Sequence, residues 1–245
     1  MPCRIRDALP DLLETLHLTS SAPLPPPRLR RRVGRTSSRR EFLSVGRAAG
    51  RDVLAAFEDV RNPASDWRRW LDFGCGAGRV ARFIGEFPIV RTVRGVDVDA
   101  EAIRWNRRHM TGDYLLLAGD ASLPFGDKSF DVVFSVSVFS HLDESPQFAW
   151  LREIHRVLRP GGLFLASTHS DKLRYSRPDL TFEQHLALNS RGFLFARGRG
   201  EFKTDSAFHS RLYLEQQWGR WFSLRLHREF GLAGFQDLTV WERPV

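Results

Sequence analysis

The sequence predicts an α/β fold: a doubly wound, mostly parallel sheet with an antiparallel last strand. Three observations predict it. From Trp67 onward, short apolar runs alternate with amphipathic stretches at helical spacing. A glycine-rich turn, Gly74-Cys75-Gly76-Ala77-Gly78, joins the first apolar run to the first amphipathic stretch. The last two apolar runs are separated only by Gly231-Leu232-Ala233-Gly234, a connection short enough to pair them antiparallel.

Taken in order, residues 1–40 read as a disordered, basic and Pro-rich arm. Pro23, Pro25, Pro26 and Pro27 form a polyproline-like linker, and a basic run from Arg28 to Arg40 reads as a solvated tail or a phosphate-touching arm. Residues 41–66 read as a helical extension, with Phe42, Leu43, Val45, Val53, Leu54 and Phe57 at helical spacing. Residues 67–170 form the expected core. Its strands are Trp70–Phe73, Thr92–Asp97, Tyr114–Leu117, Phe130–Val136 and Leu163–Ser167. Its helices run from Arg79 to Phe87, from an Asp99 cap to His109, and from a Ser145 cap with Pro146 in the first helical position. Residues 171–210 break the rhythm and read as a lid or insertion, with a hairpin of Gly192–Phe195 and Gly198–Phe202. Phe193, Phe195, Phe202 and Phe208 either line an acceptor pocket there or hold the hairpin down as a small cluster. Residues 211–245 hold a helix capped by Ser210 and a strand pair, Trp221–Phe230 and Gln236–Glu242, that completes the core.

Composition narrows the function classes. The net charge of +8 favours an anionic partner taken alone. The only lysines are Lys128, Lys172 and Lys203, however, and arginine is scattered through every segment. That is compositional bias rather than a built nucleic-acid surface, so nucleic acid is not the favoured partner. Two cysteines, Cys3 and Cys75, supply neither a disulfide framework nor a metal-ligand set, and no metal is expected. No run of about 18 apolar residues predicts a membrane-spanning helix. Asp7, Pro10, Asp11 and Glu14 interrupt any signal-peptide core, so a cytoplasmic location is expected.

The chemistry concentrates in Asp72-Phe73-Gly74-Cys75-Gly76-Ala77-Gly78. A strand ends, the chain turns sharply, and a helix begins, which is where a doubly wound sheet binds its ligand. A nicotinamide fingerprint wants glycine at the sixth position from Gly74, and Arg79 stands there instead. The pattern resembles the first motif of class I S-adenosylmethionine-dependent methyltransferases, in the type 11/12-like group, whose fold is Rossmann-like. Gly95-Val96-Asp97 places a carboxylate about 19 residues after Gly78, near the spacing a ribose-binding acid needs. Gly119-Asp120-Ala121, Leu123-Pro124-Phe125, Phe130-Asp131-Val132-Val133 and Leu158-Arg159-Pro160-Gly161-Gly162 look like later landmarks of the same family.

The resemblance implies S-adenosyl-L-methionine as cofactor. It implies binding by Asp72, Gly74, Cys75, Gly76, Gly78, Asp97, Val98, Asp120, Ala121, Ser135 and Val136. Asp97 would accept from the ribose hydroxyls and Asp120 from the adenine amino group. Transfer needs in-line orientation and exclusion of water, and a base only if the acceptor must lose a proton. His141 follows the fourth strand and is the best-placed titrating group; a hydrogen-bonded loop histidine is the competing reading. His209 is the second catalytic candidate, and His169 after the fifth strand a lesser one.

The expected activity is methylation of a hydroxyl or amine of a small molecule. The alternatives are an RNA or protein methyltransferase using the basic arm and Arg197-Gly198-Arg199-Gly200, or a catalytically silent S-adenosylmethionine-binding module. Pyrimidine C5 methylation wants a cysteine nucleophile, for which neither Cys3 nor Cys75 is placed.

Overall fold

The computed structural model describes residues 20–34, 37–198 and 204–245. Its centre is a parallel run in the order β3-β2-β1-β4-β5. The strands are β1 (Arg69–Phe73), β2 (Thr92–Asp97), β3 (Asp113–Leu116), β4 (Phe130–Ser135) and β5 (Leu158–Ser170). Two further strands, β8 (Ser223–Leu232) and β9 (Gln236–Glu242), complete the sheet: β9 pairs antiparallel with both β5 and β8. A hairpin of β6 (Phe193–Ala196) and β7 (Ser206–His209) joins through β7, which runs parallel to the last residues of β5. The order reverses at β1, flanked by β2 on one side and β4 on the other, so the switch point lies at the carboxyl end of β1.

Two apolar layers cover the sheet. One is carried by α2 (Arg39–Val60) and the short α3 (Ala81–Ile84), whose Leu54, Phe57, Phe83 and Ile84 pack with Trp70, Val132 and Phe134. Gly46 and Gly50 let α2 approach: a Cβ at Gly46 would collide with the Arg79 carbonyl, and one at Gly50 would press on Phe83. The other layer is carried by α5 (Glu144–Val157) and α7 (Arg211–Gln217), with Leu151, Ile154, Leu214 and Trp218 against Leu71, Val133 and Phe164.

The helix starts are local and largely follow the sequence. Asp99 caps α4 (Ala100–His109) by accepting from Glu101 N at 3.0 Å and Ala102 N at 3.2 Å. Ser210 caps α7 through Tyr213 N. α5 is capped by Asp143, not by the expected Ser145: the Asp143 carboxylate accepts from Glu144 N at 2.7 Å. Pro146 then sits within the first turn, where its missing N–H leaves no intrahelical bond unmade.

The arm differs from expectation. Pro27–Gly34 is a helix, α1, with Leu29 buried against Ala77 and Ala102. In the extended chain before it, arginines satisfy several carbonyls. Arg82 donates to Ala22 O and Pro23 O, and the buried Arg30 donates to Pro25 O and Ser37 O. The first 19 residues lie outside the described residues.

Among the described residues, Phe193–Ala196 pairs with Ser206–His209 as a hairpin; all of the expected segment Gly198–Phe202 but Gly198 lies outside the described residues. α6 (Phe182–Arg191) precedes the hairpin, with a capping box from Thr181 and Gln184. No helix among the described residues is long and apolar enough to cross a membrane.

The buried Asp131 at the start of β4 anchors the edge of the sheet. Its Oδ2 accepts from Arg68 N at 3.0 Å and Arg69 N at 2.8 Å, and it pairs with the Arg69 and Arg159 guanidinium groups. Asp131→Ala leaves two backbone N–H groups and two cations without their acceptor. Urea unfolding should show a loss of about 2–4 kcal/mol with an unchanged slope; a loss under about 0.5 kcal/mol contradicts this account.

Candidate functional site

A cavity of about 360 Å³ opens at the carboxyl ends of β1, β2 and β4. That volume lies within the range of small-molecule and cofactor sites. Its floor is the turn after β1. Gly74 and Gly76 have positive φ, +82° and +48°, which glycine adopts without penalty. Crowding adds a second requirement: a Cβ at Gly74 would collide with Val138, and one at Gly76 with Val33. The glycines are therefore needed for packing by neighbouring side chains as well as for close approach of a ligand.

Asp97 fixes the turn. Its Oδ2 accepts from Gly76 N at 2.7 Å and its Oδ1 from Asp99 N at 2.8 Å. One carboxylate thus joins the glycine turn to the start of α4, while still lining the cavity. Asn106 supports the turn from below, donating from Nδ2 to Gly76 O at 2.7 Å. Cys75 lines the cavity but is buried, and burial first, then the nearby Asp72 and Asp97 charges, push its thiol well up.

Two opposite charges face the cavity at its inner end. Asp72 is 3% exposed. Burial, with a smaller push from Asp97, raises its carboxyl well above the usual range, and Arg79 opposes that rise. Arg79 also lines the cavity; burial lowers its pKa, and Asp72 opposes that shift. A buried acid and a half-buried base arranged around one cavity are the complement of an α-amino acid zwitterion.

α1 covers one side. Arg32 and Val33 line the cavity. Arg32 pairs with Asp99 at 2.8 Å and Glu101 at 2.9 Å, and Arg28 pairs with Glu101. Val98, Leu117, Leu142 and Trp150 add an apolar lining suited to a heteroaromatic base.

The wall after β4 is Val136, Ser137, Val138 and His141. His141 Nδ1 lies 2.7 Å from Asp205 O. A carbonyl only accepts, so Nδ1 carries the proton, and in the neutral ring Nε2 keeps its lone pair. His209 stands elsewhere. It is buried outside the cavity lining, and burial holds its ring neutral, with a pKa down to about 3. Its Nε2 donates to Gln147 Oε1 at 3.1 Å, and Gln147 Nε2 donates to Phe139 O and Leu142 O. His209 therefore braces the turn that carries His141, a correction to its expected catalytic place. His169 is buried, with its ring edge-on to His141 at 5.8 Å.

Of the residues singled out in the sequence, Asp72, Gly74, Cys75, Gly76, Asp97, Val98, Val136 and His141 come together in the lining. Gly78 lies behind the turn, with Met110 and Asn106 at its α-carbon. Asp120 is exposed and Ala121 half-buried, both outside the lining; Leu117, which hydrogen-bonds Asp97 O, represents β3 instead. Ser135 is buried in β4, its hydroxyl without a partner among the described residues. The sequence reading missed Arg32, Val33, Arg79, Ser137, Val138 and Trp150. Only Arg79 carried a signal, as the residue that spoils the nicotinamide fingerprint. No cluster of three or more metal-ligand side chains occurs among the described residues.

Comparison with known proteins gives the same picture. Residues 71–166 match the family model described as a methyltransferase domain. A fatty-acid O-methyltransferase of Mycolicibacterium smegmatis is 37% identical over 152 residues, covering 58% of this chain and 53% of the relative. A malonyl-[acyl-carrier protein] O-methyltransferase of Pectobacterium atrosepticum is 29% identical over 130 residues, covering 53% of this chain and 48% of the relative. The chain thus spans about half the length of these curated relatives. A methyltransferase structure from Methanosarcina mazei superposes with a TM-score of 0.57 at 17% identity, covering 76% of this chain and 99% of that one. One from Clostridium acetobutylicum also gives 0.57, at 11% identity, covering 81% of this chain and 92% of that one. These two likenesses bear on the fold.

Residues 71–166 therefore resemble a methyltransferase domain, and S-adenosylmethionine is the cofactor that this resemblance implies. The residues present fit that molecule. Asp72 and Arg79 would complement its amino acid end, Asp97 its ribose, and the apolar lining its base.

Asp72 supplies a test. Its folded pKa is raised above the unfolded value of about 3.9. It therefore costs the cofactor-free fold stability as pH rises above that value, and costs nothing below it. Asp72→Asn should raise the melting temperature of the cofactor-free protein at neutral pH, with the gain vanishing toward pH 3. Calorimetry should show S-adenosylmethionine bound at least about tenfold more weakly. A lowered melting temperature would contradict the assigned strain.

Proposed function

We propose that this chain is an S-adenosylmethionine-dependent methyltransferase that methylates oxygen on a small, largely aliphatic acceptor, with His141 as the base when that oxygen is a hydroxyl. The observation that carries this reading is the position of His141 in the cofactor cavity with Nδ1 committed to Asp205 O. A neutral ring so held presents an unprotonated Nε2. The names of the similar proteins, O-methyltransferases of a fatty acid and of malonyl-[acyl-carrier protein], support oxygen as the acceptor atom.

When bound, S-adenosylmethionine would supply an electrophilic methyl carbon on a sulfonium, with a neutral thioether as leaving group. The protein does the rest. Asp72, Arg79 and Asp97 orient the donor. Val136, Val138 and Leu142 supply apolar walls that exclude water. His141 Nε2 would take the proton that a hydroxyl acceptor loses on methylation. The described residues of 171–198 and 204–210 would serve as the acceptor's cover, since Asp205 holds His141 in place.

A polyanionic substrate is disfavoured by the charges of α1. Arg28, Arg30 and Arg32 are already engaged with Glu101, the Pro25 and Ser37 carbonyls, and Asp99.

A carboxylate acceptor is the second reading, favoured by the fatty-acid relative. It is already ionised and needs no base. The two separate cleanly. Wild type and His141→Ala are assayed with labelled S-adenosylmethionine against hydroxy fatty esters and free fatty acids. The hydroxyl reading predicts a loss of about 10²–10⁴-fold in His141→Ala on the hydroxy acceptor. The carboxylate reading predicts little change on the acid. Cofactor binding with no oxygen-methylated product from either class overturns the proposal.

A further inference from the structure

Ser137, at the tip of β4, is one of the few non-glycine residues with positive φ, at +61°. Such backbone persists only where the surroundings hold it. Here they do. Ser137 N donates to Ser167 Oγ at 2.8 Å, tying the turn to β5. Ser137 Oγ donates to Gln236 Oε1 at 2.8 Å, and Ser167 Oγ donates to the same atom at 2.8 Å. Gln236 Nε2 in turn donates to Ser140 Oγ at 3.2 Å. Gln236 is the first residue of β9, nearly a hundred positions away in sequence, and it is 4% exposed. Its amide therefore grips both ends of the four-residue turn that forms the cavity wall.

The consequences of that grip reach the cavity. Directly after Ser137, Val138 lies against the α-carbon of Gly74, on the floor. Val138 O accepts from His141 N at 2.9 Å, so the same turn sets where His141 stands. Hydroxyl and amide groups that do not titrate thus fix both the donor floor and the acceptor wall.

We propose that Gln236 is a positioning residue for methyl transfer: by holding Ser137 in its left-handed conformation from the last strand, it places the Val138–His141 wall against the cofactor loop. This inference rests on the cavity being the cofactor site, as in the proposed function. Gln236 touches neither the donor nor the acceptor; it acts through Ser137 and Ser140.

The test is binding of S-adenosylhomocysteine, followed by calorimetry, beside thermal melting of each variant. Wild type that binds no S-adenosylhomocysteine would overturn the functional reading itself. Gln236→Leu removes the grip and should weaken binding about tenfold. Gln236→Glu can still accept from both hydroxyls and receive a third from Ser140, and should bind within about threefold of wild type.

Thr239→Val is the control. Thr239 lies on the same strand, buried, donating to Ala166 O, and it does not touch the turn. It should lower the melting temperature without weakening binding. If Thr239→Val and Gln236→Leu weaken binding in proportion to their loss of melting temperature, Gln236 is merely structural and the proposal fails.

Ser137 gives a second route that does not depend on Gln236→Leu folding. Ser137→Gly and Ser137→Ala both lose the hydroxyl, but only glycine adopts the left-handed conformation without strain. Ser137→Gly should bind several-fold more tightly than Ser137→Ala. Equal affinities would overturn the proposal.

Discussion

The carboxylate of Asp97 is the joint on which the site depends. It sits at the end of β2 and takes hydrogen bonds from Gly76 N and Asp99 N, so one side chain binds the glycine turn and the start of α4. Parallel strands fix their tips only through such cross-links, because the ladder ends where the loops begin. Phe73 pairs with Val96 in the last rung between β1 and β2, and Gly74 N and Cys75 N both donate to Val96 O. The turn is thus held from the strand side by backbone and from the loop side by a charge. Asp99, locked by Asp97, is also the residue that receives Arg32, and so α1 inherits its position from the same joint.

The site is stressed where it is to bind. Asp72 is buried and Arg79 half-buried without a direct ion pair between them, an arrangement that costs stability in the free protein. A zwitterionic ligand end would satisfy both at once, so part of the cost of burial would be recovered on binding. The strained Ser137 is the same kind of feature in backbone form. Core strands carry no such stress: Leu71, Val132 and Phe134 are simply buried between the two apolar layers.

The sequence revealed whatever is decided within a few residues. The Asp99 and Ser210 caps, the strand pair joined by Gly231–Gly234, and the turn after Phe73 each depend on neighbours in the chain, and each is where the residues placed it. Asp97 and Asp72 were legible because the end of a strand fixes where their side chains stand. Asp120 was not, because three residues of loop separate it from β3 after Leu116, and that loop carries it to solvent. The arm misled because the partners of its arginines and leucine are remote: Glu101, Asp99 and Ala102 lie some 70 residues away, and no local period announces them. His209 looked like a reactive group because sequence shows a titrating side chain but not its burial. The turn gripped by Gln236 stayed invisible, since nothing in Ser-Val-Ser-Val-Phe-Ser shows that a left-handed residue is required or that β9 supplies its hold.

Cys75 has one last consequence. A sulfur nucleophile sits in the wall of a site built for an alkylating agent, and a thiolate there would invite the enzyme to modify itself irreversibly. Burial beside two carboxylates keeps the sulfur as a thiol, which is a poor nucleophile. The same acids that would attract the donor's positive charge therefore also protect the protein from it.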